Sequence, residues 1–137
     1  AESACFLQAF VKIGLLPDSG GTWFLPQRIG VARAMGLAML GEKLDAKTAL
    51  SWGLIWGVYH DAKILMTEVS AMADHLSRQP TRALAAIKRA MHAAPTQSLD
   101  AQLDLERDLQ RELGNSHDYA EGVNAFLHKR PAHFTGE

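Results

Sequence analysis

Asp18 is the carboxylate best placed for chemistry. It lies in the run Ile13-Gly14-Leu15-Leu16-Pro17-Asp18-Ser19-Gly20-Gly21-Thr22-Trp23. Pro17 fixes φ just ahead of it, Gly20 and Gly21 permit close backbone approach, and Trp23-Phe24-Leu25 gives a following helix apolar residues to bury. An acid held this way can serve two ends. As an N-cap it accepts a hydrogen bond from unpaired helix N–H groups, worth about 1 kcal/mol. As a general acid/base it moves a proton, most effectively where apolar neighbours such as Leu16, Trp23 and Phe10 raise its pKa from about 3.9. On local spacing the cap is the simpler reading.

Other constellations are weaker. His60, His75, His92, His117, His128 and His133 form no His-x-x-x-His or Glu-adjacent zinc pattern, so no metal site is expected. Ser19-Gly20-Gly21 lacks the frame of a nucleophile elbow, and Gly14 to Gly21 lacks the lysine of a phosphate loop. The basic end His128-Lys129-Arg130-Pro131-Ala132-His133 reads as a solvated tail, or as a phosphate site with the apolar face of Phe126 nearby. Cys5 is the only cysteine, which excludes an intrachain disulfide, suits a reducing compartment and leaves a small buried hydrophobe as its plain role.

The elements that must position these residues follow from periodicity and stop signals. Cys5 to Val11 predicts a short strand, the Pro17 to Gly21 turn a helix ending near Gly30, and Val31 to Leu40 a helix stopped by Gly41. Pro26 implies a kink or a first turn. Asp45 should cap a helix over Ala46 to Trp52 with Gly53 as its stop, followed by a brief strand or extended segment over Ile55 to Tyr59. Beyond Asp61 the pattern is helical throughout. Leu65, Val69, Met72 and Leu76 mark one face, Leu84, Ile87 and Met91 a second, and Leu99, Leu103, Glu106, Leu109 or Gln110, and Leu113 a third on a helix capped by Ser98. A last helix, His117 to Lys129, carries Tyr119, Val123 and Phe126. The expected division is residues 1–60, holding the Asp18 turn, and residues 61–137, a helical region, the two forming one structural unit.

Fourteen basic against fifteen acidic residues leave a net charge of −1, which removes the electrostatic case for nucleic-acid binding. No segment suits a membrane span or signal peptide, so the cytoplasm is the expected location. The opening Ala1-Glu2-Ser3-Ala4-Cys5-Phe6 runs almost at once into strand-forming residues, which suggests a processed or truncated chain.

Several linked motifs resemble the second half of the enoyl-CoA hydratase/isomerase, or crotonase, family. They are Phe6-x-x-x-Phe10-Val-Lys-Ile-Gly-Leu-Leu-Pro-Asp-Ser-Gly-Gly-Thr22, Gly30-Val-Ala-Arg-Ala-Met-Gly-Leu-Ala-Met-Leu-Gly41, Leu44-x-Ala46-x-x-Ala49-x-x-x-Gly53, Pro80-Thr81 through Lys88, and Glu121-Gly122-Val-x-Ala-Phe126-x-x-Lys129-Arg130. Together they cover essentially the whole chain. The resemblance implies the C-terminal part of an α/β crotonase fold, a ClpP-like spiral, here mostly helical with short strands near the N-terminus.

Family hydratases place a catalytic Glu where this chain has Phe10, whereas family isomerases place an acid at the position of Asp18. The resemblance therefore implies an acyl-CoA isomerase with Asp18 as acid/base, with Leu16 and Pro17 as substrate-binding residues. Phe10 to Trp23 and Leu103-Asp-Leu-Glu-Arg107 are most similar to the branch acting on 1,2-epoxyphenylacetyl-CoA in phenylacetate degradation. Phe126 and Lys129 match positions that approach the CoA adenine and 3′-phosphate, often of a neighbouring subunit, while Arg130 either assists or has an ordinary surface role. CoA is part of the substrate, so no separate cofactor is implied. The partners implied are the acyl-CoA and further copies in a trimer or dimer of trimers, with a family hydratase as a further associate. Both oxyanion-hole amides belong to the family's earlier half, so the chain looks like a C-terminal fragment, inactive alone. A dienoyl-CoA isomerase, an aromatic acyl-CoA dehalogenase with Asp18 as nucleophile, and a non-catalytic assembly piece are the alternatives.

Overall fold

A computed structural model describes all 137 residues. The chain runs β1 (Cys5–Leu7), a 3₁₀ turn (Ala9–Ile13), α1 (Gly21–Ile29), α2 (Val31–Leu40), β2 (Lys43–Asp45) and α3 (Ala46–Ser51). It continues through α4 (Ala62–Ser77), α5 (Thr81–Ala93), a 3₁₀ turn (Ala94–Thr96), α6 (Leu99–Gly114) and α7 (His117–Leu127). Two compact units emerge, Ala1–Val69 and Ser70–Glu137, with the division inside α4 where the sequence places it between 60 and 61.

In the first unit β1 and β2 pair antiparallel, with Phe6 opposite Leu44. Leu44, Leu37 and Ala49 form the buried cluster, against which Phe6, Leu25, Trp52 and Leu54 pack. The strand expected over Cys5 to Val11 is shorter than its sequence suggests. After Leu7 the chain turns into the 3₁₀ segment, which closes on left-handed Gly14. Lys43–Asp45 takes the pairing edge instead, and no strand forms over Ile55 to Tyr59. Cys5 is exposed rather than buried, because only the central residue of the three-residue strand turns inward.

The helix boundaries follow local signals closely. Left-handed Gly41 ends α2, its N–H donating to Leu37 O at 3.2 Å. A β-carbon there would lie 3.1 Å from Lys12 and Val11 side-chain atoms, so the glycine also permits α2 to end against the 3₁₀ turn. Asp45 caps α3 as expected: Oδ1 accepts from Thr48 N at 2.9 Å and Oδ2 from the Thr48 hydroxyl at 2.7 Å. Pro26 sits inside α1, beyond its first turn.

In the second unit Ser98 caps α6, accepting from Ala101 N, and Ser116 caps α7, accepting from Tyr119 N. The apolar faces expected on these helices are largely bare within the chain. Leu109 is buried, but Leu99 and Leu103 are exposed, and neither α4 nor α5 buries a residue. The chain exposes 10059 Å², more than the roughly 8,500 Å² that two separate folded units of half its mass would expose. Large apolar side chains such as Trp56 and Phe126 contribute to this exposed surface.

Candidate active site

The Asp18 turn is built from the backbone. The 3₁₀ segment ends with Gly14 N donating to Val11 O at 3.1 Å and Leu15 N to Phe10 O at 3.0 Å, which aims Leu15 to Pro17 toward α1. Gly21 N then donates to Asp18 O at 2.8 Å, closing a turn in which Ser19 has φ 52° and Gly20 φ 84°. At Gly20 a β-carbon would meet the Phe24 ring at 3.0 Å, so glycine is required there by both conformation and space.

This geometry overturns the capping reading of Asp18. Gly20 is the N-cap of α1 and no side chain caps the helix. Asp18 lies two residues too early, and only its carbonyl bonds within the turn. The carboxylate is exposed. The apolar enclosure expected around it is also not formed by this chain: Leu16 is 70% exposed, and Trp23 stacks edge-on against Phe24 with ring centroids 4.7 Å apart.

Leu16 and Pro17, both expected to touch substrate, line an apolar cavity of about 320 Å³ together with Leu15, Thr22, Met35 and Met39. Its walls come from the turn, α1 and α2, so a ligand group seated there would be an apolar one. Phe10 is not part of the lining.

Phe126 and Lys129 belong to the second unit. Phe126, on α7, is 82% exposed and forms the rim of a second cavity of about 530 Å³ with Ile87, Leu113, Tyr119, Val123 and Phe134. Lys129 is exposed and holds φ 51°. Asp18, Leu16 and Pro17 thus cluster in one unit, and Phe126 and Lys129 in the other.

The basic tail is a strap rather than a loose end. Arg130 forks onto both oxygens of Glu121, at 2.6 and 2.8 Å, and Glu121 also accepts from His133 N at 2.8 Å. The Arg130 bond, then the His133 N–H, draw the Glu121 carboxyl down to about 2. Further along, buried Asp118 accepts from Thr135 N at 2.8 Å and Gly136 N at 2.9 Å. Burial opposes its ionisation, yet these two N–H groups and His117 hold its pKa below the usual value. Sequence reasoning missed the roles of Glu121, Asp118 and Ser19. An acid nine residues before an Arg beyond a helix end was the one available signal for the first.

The first unit thus carries an exposed carboxylate on a glycine-rich turn beside an apolar cavity, and the second an exposed lysine at a helix end. The chain belongs to the enoyl-CoA hydratase/isomerase family, whose model matches residues 1–137, and it carries part of the crotonase fold. It is 55% identical over 137 residues to the 1,2-epoxyphenylacetyl-CoA isomerase of Escherichia coli, covering 100% of this chain and 52% of that protein. It is 54% identical over 136 residues to a Rhodobacter capsulatus protein named "Probable enoyl-CoA hydratase", covering 99% of this chain and 52% of the other. The crystal structure of a Polaromonas enoyl-CoA hydratase superposes with a TM-score of 0.92 at 33% identity, over 98% of this chain and 52% of that one. The chain spans about half the length of the curated relatives it matches. The names of the two relatives divide between isomerase and hydratase at nearly equal identity.

Proposed function

We propose that this chain is part of an acyl-CoA isomerase in which Asp18 carries the proton, acting on 1,2-epoxyphenylacetyl-CoA to give the oxepin thioester. The observation that carries the reading is the state of Asp18: its carboxylate is exposed, it caps nothing, and it follows Pro17 in the wall of an apolar cavity. Phe10 supports isomerase over hydratase, since a phenyl ring cannot exchange the proton that water addition requires.

The chemistry is a rearrangement without gain or loss of atoms. A thioester acidifies the adjacent C–H, and a carboxylate that accepts a proton from one carbon and returns it to another isomerises the substrate. In this reading Leu16 and Pro17 contact the acyl portion, Phe126 packs on the adenine, and Lys129 pairs with the 3′-phosphate of CoA. No cofactor beyond the CoA of the substrate is required. The enolate needs amide donors worth roughly 3 kcal/mol each, which the family resemblance assigns to segments other than residues 1–137. Residues 1–137 alone are therefore expected to show no turnover. Assembly as a trimer or dimer of trimers, with a family hydratase as a further associate, and a cytoplasmic location belong to the same proposal.

The test is Asp18→Asn in the full-length protein, in which the amide donors are present. Isomerisation of 1,2-epoxyphenylacetyl-CoA is expected to fall by roughly 10²–10⁴-fold with an unchanged melting temperature, and retained activity would overturn the assignment. A covalent aryl ester trapped on Asp18 from a haloaryl-CoA would instead identify a dehalogenase, which the same free carboxylate would serve as nucleophile.

A further inference from the structure

We propose that Glu121 and Arg130 are positioning residues for Lys129, holding its backbone in the left-handed conformation from which its ammonium meets the 3′-phosphate; the inference rests on the reading of Lys129 given above. The argument begins with how α7 ends. Lys129 N donates to Phe126 O at 3.2 Å and Arg130 N to Ala125 O at 3.1 Å, the paired bonds of a Schellman closure with Lys129 at its left-handed position. That position normally takes glycine, because a β-carbon there crowds the following carbonyl.

The other unit supplies the comparison. There α3 closes with the same pair of bonds, Gly53 N to Leu50 O and Leu54 N to Ala49 O, and the left-handed residue is Gly53 at φ 78°. A lysine in this role is unfavourable for folding, so something must hold it. The neighbouring residue does so. Arg130 forks onto both Glu121 oxygens, its Nη1 also donates to Pro131 O at 3.1 Å, and Glu121 in turn accepts the His133 N–H. The backbone on the C-terminal side of Lys129 is thereby tied to the body of α7.

The same contacts separate two basic residues that the sequence presents alike. Arg130 is committed to Glu121, which is only 15% exposed in that pair. Lys129 is exposed and takes part in none of the ion pairs of the chain. Arg130 is thus the group that places the cation, and Lys129 is the cation that meets the ligand.

The experiment compares affinities of the purified protein for CoA and 3′-dephospho-CoA by titration calorimetry. The unaltered protein is expected to prefer CoA by about tenfold, as one charge-assisted contact would give. Glu121→Gln and Arg130→Lys are each expected to lower that preference by roughly threefold or more, through weaker CoA binding with 3′-dephospho-CoA affinity unchanged. Lys129→Gly should abolish the preference without lowering the melting temperature. No preference in the unaltered protein would overturn the phosphate reading itself. A preference that survives both Glu121→Gln and Arg130→Lys would overturn the positioning role alone, as would equal weakening of both ligands. A fall in melting temperature for Lys129→Gly would refute the strain argument.

Discussion

Ser19 and Lys129 are the two non-glycine residues with positive φ, at 52° and 51°. One follows Asp18 directly, and the other is the proposed phosphate contact. Left-handed backbone at such residues persists only where the surroundings impose it, and it collects at ligand sites. At Ser19 the penalty is steric, so removing or enlarging the side chain should act in opposite directions. Ser19→Gly is expected to leave the melting temperature unchanged or raise it, whereas Ser19→Val, branched at Cβ, should lower it by more than about 1 kcal/mol equivalent. Thermal denaturation of the two variants side by side reads this. Asp18 was legible as a candidate because Pro17 and the glycines around it are local signals. That it does not cap α1 was not legible, since the outcome depends on Ser19 and Gly20 both turning left-handed before the helix begins.

At the scale of elements, α7 and the tail that returns along it carry the clearest consequences. Ser116 is buried, accepts from Tyr119 N at 3.1 Å and donates to Leu113 O at 2.6 Å, so it joins the end of α6 to the start of α7. Ser116→Ala should cost about 1–2 kcal/mol, measurable by urea denaturation. The tail responds to acid through Glu121. Its carboxyl is lowered from 4.5 to about 2, first by the Arg130 hydrogen bond. A group depressed on folding contributes fully above its unfolded pKa and loses that contribution as pH falls through the folded value. Protection of the His133 amide, its exchange rate relative to the intrinsic rate at each pH, should therefore hold down to about pH 4.5 and fall from there toward about pH 2. Replacing Glu121 by Gln should remove the dependence of that protection on pH within the window. The helix itself was readable from Tyr119, Val123 and Phe126, whereas its Ser116 cap was not singled out. The strap was not, because its partners lie nine to eighteen residues apart and obey no period.

For the molecule as a whole, the informative quantity is uncovered apolar surface. Trp56 is 88% exposed and Phe126 82%, with Leu99, Met91 and Leu127 each 70% or more. Patches of this kind mark interaction surfaces, and assembly of copies is the proposed way of covering them. Analytical ultracentrifugation of the purified protein is expected to show a trimer or a multiple of it, with no monomer at micromolar concentration. A stable monomer would overturn the proposed assembly.

The sequence by itself determined what short-range physics decides. Gly41 stops α2, Asp45 caps α3 and Ser98 opens α6, each within a few residues of its partner. It also placed Asp18, Leu16 and Pro17 together on one turn. Tertiary structure decided whatever needed a distant partner: the pairing of Cys5–Leu7 with Lys43–Asp45, the freedom of Asp18 and the burial of Asp118. It also decided that Arg130 pairs with Glu121 while Lys129 joins no ion pair. Adjacent cations are equivalent in sequence, and only the carboxylate folded against one of them tells them apart.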